Sequence, residues 1–276
     1  MSHPARQNPS TPWRPIDHRS LLWRYAGDQR LGFTGLSAGL LQLLHPGIGA
    51  GVAEHSAFFT EPWERIERSV PEILGVVYDQ DPETTGHRVR SYHRSIKGID
   101  HLGRPYRALA PDTYWWAHAT FQYAVEQLVD RFDAHRLSAV EREDLYQDGV
   151  EWYRRYGVSL RPVPADHAGF VVAWDRYCAE VLEMTPAAER ALDMVVHSRS
   201  DPLPSLPSWS VPLQRLFVTP LLRLVALGGL PGVVRRRFDI PWRVDEELEY
   251  RAFQLAVRES WRFVLPAFRY HPRAAA

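Results

Sequence analysis

The chain lacks most of the features that narrow a protein's chemistry quickly. Its 276 residues contain one cysteine. A lone Cys178 excludes an internal disulfide and a C-x-x-C-H covalent haem attachment. This cysteine usage fits a reducing compartment, so a cytoplasmic location is expected. Trp174, Tyr177, Val181 and Leu182 surround Cys178 at helical spacing, which reads as an inert core thiol. There is no excess of one charge, since 33 Lys plus Arg balance 33 Asp plus Glu. No basic block is long enough to track phosphates, so no nucleic-acid partner is expected. Arg235, Arg236 and Arg237 form the nearest patch and read as a helix C-terminus or an anion contact. His-Glu-x-x-His, Glu-x-x-His and the Walker and Rossmann fingerprints are missing. Their absence removes zincin, diiron-bundle and nucleotide-binding readings. No run alternates with a period of two and no fixed-period repeat is visible, which points to an all-α class.

Long uninterrupted hydrophobic runs are also missing. Residues 1–20 are polar and proline-rich with no apolar signal-like segment, and read as a flexible arm that packs, if at all, through Trp13 and Trp23. The most apolar region, Leu216–Val234, is broken by Pro220, Arg223, Gly228, Gly229 and Pro231. It reads as a buried helix ending at Gly228, or as the lining of an apolar tunnel or a peripheral membrane contact. Earlier, Gly32, Gly35 and Gly39 make a small-residue stripe suited to close helix approach. Gly47, Gly49 and Gly51 then read as a glycine-lined wall beside a cofactor, with His55 a polar contact and His45 at a helix end.

Two stretches carry the chemistry. In ALAPDTYWWAHATFQYAVEQLVDRF, Asp112 or Thr113 follows Pro111 and is placed to cap a helix. Phe121, Val125, Leu128 and Phe132 then recur at steps of three and four, and His118 shares their face. A buried imidazole needs partners for its nitrogens. One reading is a core histidine hydrogen-bonded to a backbone carbonyl. The other is an axial ligand to haem iron with Trp115 and Trp116 walling the macrocycle. In GHRVRSYHRSIKG, Val89, Tyr92, His93 and Ile96 are expected on one face of a helix ended by Gly98. Arg88, Arg90, Arg94 and Lys97 read either as a solvated face or as partners for haem propionates, which guanidinium groups bind bidentately. The two helices would hold a planar cofactor between facing histidines.

These segments, with GLLQLLHPGIGAGVAEHSAF before them and LSAVEREDLYQDGVEWYRRYGV, LLRLVALGGLPGVVRRRFDIPW and RFVLPAFRYHP after them, resemble the haem oxygenase family of the latex-clearing rubber oxygenases. That family also holds the fungal mycophenolic-acid-pathway oxygenase. The resemblance spans roughly residues 32–272. It implies an all-helical fold with a globin-like core, haem b, and His118 as the proximal iron ligand. Rubber-cleaving members present Arg, Lys and Thr over the distal face. The matching positions here are Arg90, His93 and Arg94, so the Lys and Thr are replaced, and the resemblance carries the cofactor without the rubber substrate.

The expectation is therefore one helical domain over residues 21–272, with a tail over 273–276. It would bind haem b through His118, with Arg94, Trp115, Phe121 and Tyr92 about the cofactor. His93 would be the distal acid or base, and Arg90 would help polarise the O–O bond. The substrate would be an apolar isoprenoid, lipid or aromatic metabolite oxidised with O₂ or peroxide. The alternatives are a non-catalytic haem sensor or carrier, and a haem-free binding module. Further elements are expected as a helix from Pro62 stopped near Pro71, and a Ser138–Glu141 capping box opening a half-exposed helix with solvated Glu143, Asp144 and Asp148. Asp166 and Pro186 should start two more helices. A last amphipathic helix should turn Leu248, Phe253, Leu255, Trp261 and Val264 inward.

Overall fold

The first helices are set by their caps. The computed structural model describes residues 15–197, 199 and 202–274; residues 1–14, with Trp13, lie outside the described residues. Ser20 caps α1 (Leu21–Ala26) by accepting from the Trp23 amide. Helix α2 (Gly32–Leu43) runs to the break before Pro46, the first residue of α3 (Pro46–His55). Helix α4 (Pro62–Tyr78) passes straight through Pro71 instead of stopping there. Its inward residues Leu74, Val76 and Val77 are buried beyond the proline, so core packing outweighs the one lost backbone hydrogen bond. Asp81 caps α5 (Pro82–Tyr92).

Helix α5 ends at Tyr92, six residues before the expected Gly98 stop. The cause is local. The His93 ring donates from Nδ1 to the Val89 carbonyl at 2.9 Å, taking the acceptor that the His93 amide would use in a continuing helix. That amide bonds Arg90 instead. A short hairpin follows, with β1 (Lys97–Ile99) antiparallel to β2 (Pro105–Arg107) and Gly98 opposite Tyr106. Asp100 holds its turn by accepting from the Leu102 and Arg104 amides.

The long helix α6 (Pro111–Phe132) begins with Pro111 in its first turn and Ala110 as the cap residue. Asp112 is thus inside the helix, paired with Arg161 at 2.6 Å. Helix α7 (Ala139–Arg154) has the Ser138–Glu141 capping box. It is more deeply set than expected: Asp148 and Glu151 are buried. Asp166 caps α8 (His167–Arg176), which runs into one π-helical turn carrying the buried Cys178. Burial pushes that thiol up to about 12, the inert behaviour expected of it.

Thr185 and Pro186 open α9 (Pro186–Val196). The short α10 (Val211–Leu213) continues through a π turn into α11 (Thr219–Gly228), and α12 (Gly232–Arg237) follows. Helix α13 (Val244–Ser260) turns Tyr250 inward and leaves Leu248 and Leu255 exposed, reversing the expectation for those two leucines.

Helix α6 is the axis of the bundle and packs on α1, α2, α7 and α13. Around it Trp116 stacks on Tyr177 at 4.7 Å and on Trp174 at 4.9 Å, and donates from its indole to the Leu41 carbonyl. Gly32, Gly35 and Gly39 face open space, so they do not serve close approach. Gly49 packs on Thr185 and Gly51 on Ile96, which makes them contacts of α3 with its neighbours and not a cofactor wall. The start of the tail is docked, since Arg273 forks onto Asp79 at 2.8 and 2.7 Å. The all-α class is borne out, with a two-stranded hairpin of three residues per strand as the one sheet among the described residues.

Candidate functional site

His118 lies on the buried face of α6, 6% exposed, with Val125, Leu128 and Phe132 fully buried along the same stripe and Phe121 half-buried. Its Nε2 lies 2.8 Å from the Gly149 carbonyl of α7. A carbonyl only accepts, so Nε2 carries the proton and Nδ1 keeps its lone pair. That Nδ1 is buried and makes no hydrogen bond. Burial pushes the imidazole down to about 4, so it stays neutral, the form that can ligate a metal. The ring is boxed by Trp152 at 4.9 Å, Tyr153 at 5.1 Å and Tyr156 at 6.1 Å.

Four residues further along α6, Gln122 presents to the same place. Its Nε2 donates to the Leu145 carbonyl while its Oε1 is buried without a partner. Both residues line a cavity of about 10 Å³ shared with Trp115, Gly149, Tyr153 and Phe170. Gly149 makes the approach of α6 and α7 here, because a Cβ on it would lie 1.8 Å from Gln122 Oε1. Sequence reading missed Gln122 and Gly149. The signals were an amide one helical turn after His118 and an isolated glycine inside a helical pattern.

The expected slot wide enough for a porphyrin is not present. About 10 Å³ holds one water, whereas ligand pockets start at about 300 Å³. The donor nitrogen therefore fits an iron ligand, and the packed side chains around it do not admit the macrocycle. Nor do two histidines face each other across a gap. His93 is half-buried and packs edge-on against Tyr114 at 5.6 Å, and Tyr114 packs on Tyr156 at 5.6 Å and Tyr153 at 6.1 Å, filling the space toward His118. Burial lowers the His93 pKa, and its Nδ1–H on Val89 leaves the Nε2 lone pair available.

The remaining expected site residues divide. Trp115 is buried in the cavity wall, and Phe121 stacks on Trp152 at 6.2 Å. Arg90 is half-buried and donates to the Gly157 carbonyl at 2.5 Å, a carbonyl held there by a left-handed turn at Gly157, φ 65°. Tyr92 is 56% exposed and Arg94 is exposed, because the early end of α5 carries both away from the core. Arg88 pairs with Glu72 on the surface. His45 is buried against Tyr177, and His55 sits beside Glu54. Among the described residues no cluster of three His, Cys, Asp or Glu side chains is placed to hold a metal ion.

Comparison with curated proteins and with solved structures finds no match. Comparison with family models does, over residues 23–259, a span that takes in His93, His118, Gln122 and Gly149. The chain belongs to the family described as ER-bound oxygenase mpaB/B'/Rubber oxygenase, catalytic domain.

Proposed function

We propose that this oxygenase-family chain is an oxidoreductase that acts with O₂ or peroxide on an apolar small molecule, and that His118 would ligate the iron of haem b only in a more open arrangement than the packing around it shows. The observation that carries the reading is the buried, neutral His118 imidazole with one nitrogen tied to Gly149 and the other left without a partner. An acceptor nitrogen buried unpaired costs roughly 1–3 kcal/mol, which a ligand at that atom would recover. Haem, when bound, supplies the redox-active iron for oxygen chemistry. The protein's own residues do the rest. The Gly149 carbonyl fixes the tautomer and orientation of His118. His93, its pKa lowered by burial, keeps an Nε2 lone pair on the far side of Tyr114, and would act as acid or base only once that tyrosine layer moves. Arg90, pinned to Gly157, places a fixed positive charge one helical turn before His93. Trp115, Tyr146, Tyr153 and Phe170 give the His118 side of the site apolar surroundings. These same side chains must part for a macrocycle to enter.

That tight packing favours a second reading, in which the fold is kept as a haem-free protein. Haem titration of the purified chain separates them. A Soret band that saturates at one haem per chain, and that is lost in His118→Ala with helicity retained, supports the proposal. Full haem occupancy in His118→Ala removes the ligand assignment, and a chain that stays colourless after haem supplementation favours the second reading. With haem bound, O₂ consumption on isoprenoid, lipid and aromatic substrates distinguishes an enzyme from a sensor or carrier.

A further inference from the structure

The segment leading into α11 is inside out. Ser210, Gln214 and Thr219 are buried, with Gln214 bonded to Ser210 and to the Leu203 amide. On the opposite side Trp209 is 74%, Leu213 51%, Leu216 64% and Phe217 65% exposed, at steps of three and four that make one stripe. Soluble surface helices show the reverse arrangement. From Pro202 to Leu222 the only charged residue is Arg215, which is exposed beside this stripe. The run Ser208–Gly228 is long and apolar enough to cross a bilayer, yet Val225, Ala226 and Leu227 in its second half are core residues. Arg223 is ion-paired with Glu246 of α13, which anchors that half to the body. Only the outer half is free to meet another phase.

We infer that the Trp209–Phe217 face seats in the interfacial layer of a lipid bilayer, holding the protein on a membrane surface without crossing it. An exposed indole with three large apolar side chains, one cation and no carboxylate fits the boundary between acyl chains and phosphate headgroups. A second copy of the chain fits less well. An isologous pairing would bring two Arg215 guanidinium groups to one apolar seam with no carboxylate between them. The inference stands independently of haem at His118.

Vesicle flotation of the full chain tests it, with phosphatidylcholine vesicles alone and with phosphatidylserine added. Binding is expected to both, and more to the anionic vesicles. Replacing Trp209, Leu213, Leu216 and Phe217 together by Ser is expected to lower the bound fraction at least about tenfold with the melting curve unchanged. Should that variant fail to fold, Phe217→Asp alone is expected to reduce binding, and Arg215→Glu to remove the preference for anionic vesicles. Failure of the wild-type chain to float, equal flotation of the folded variants, or a dimer lost in the variants without vesicle binding each overturns the inference.

Discussion

Individual atoms at the centre of the molecule set the sharpest constraints. The Gly149 α-carbon is so close to Gln122 that a methyl group has nowhere to go. Gly149→Ala is expected to destabilise the fold by about 1–3 kcal/mol in urea melts. Shortening the neighbour in a Gly149→Ala, Gln122→Ala double variant should restore part of this, and strict additivity would contradict the contact. Histidine 45 gives a pH-dependent case. Its ordinary value of 6.5 is pushed down to about 4 by burial, so the unfolded chain binds the proton more readily than the folded one. Its contribution is complete above pH 6.5 and is lost as the pH falls toward 4, on the order of 3 kcal/mol over that window. The stability–pH curve should flatten there in His45→Gln, and an unchanged slope would assign the acid sensitivity elsewhere.

At the level of elements, caps and turn residues decided where helices begin more reliably than apolar spacing decided what they bury. The Ser138–Glu141 box, Asp166 and Pro186 act as read from the sequence. Ser138→Ala is expected to cost about 1 kcal/mol, seen as a drop of about 2–4 °C in the melting midpoint. Stops were harder to place. Pro71 was passed over because the helix beyond it is buried, and α5 ended early because a side chain, His93, took the carbonyl that the next backbone amide needed. That early stop exposes Tyr92 and Arg94, so its effect reaches the candidate site. In α13 the apolar residues fall on more than one face, and only contact with α6 and α11 selects Tyr250 as the inward residue.

Across the whole molecule, distant parts of the chain are tied by a buried ion cluster. Arg30 pairs with Asp28 at 2.7 Å and Asp133 at 2.7 Å, donates to the Phe132 carbonyl and lies 4.8 Å from the Trp261 ring, joining the first helices to the end of α6 and the C-terminal region. Arg30→Met leaves two carboxylates without their cation and is expected to cost about 3–5 kcal/mol. Lys at this position should not restore it, because an ammonium lacks the planar fork that reaches all three acceptors. A urea midpoint close to that of the wild-type chain in Arg30→Met would show that the cluster contributes little.

The sequence alone determined the class of the protein, the course of its central helix and the inward position of His118, because 3.6-residue spacing and terminal caps are local properties written in neighbouring residues. Its family kinship was legible for the same reason, in ordered short motifs. The tertiary structure decided what surrounds the imidazole. Gly149 and Gln122 became its setting, a layer of tyrosines filled the space expected for a second histidine, and four apolar side chains of an otherwise polar-cored segment were left facing out. These outcomes depend on how far one helix slides and rotates against another, which close packing between residues remote in sequence settles.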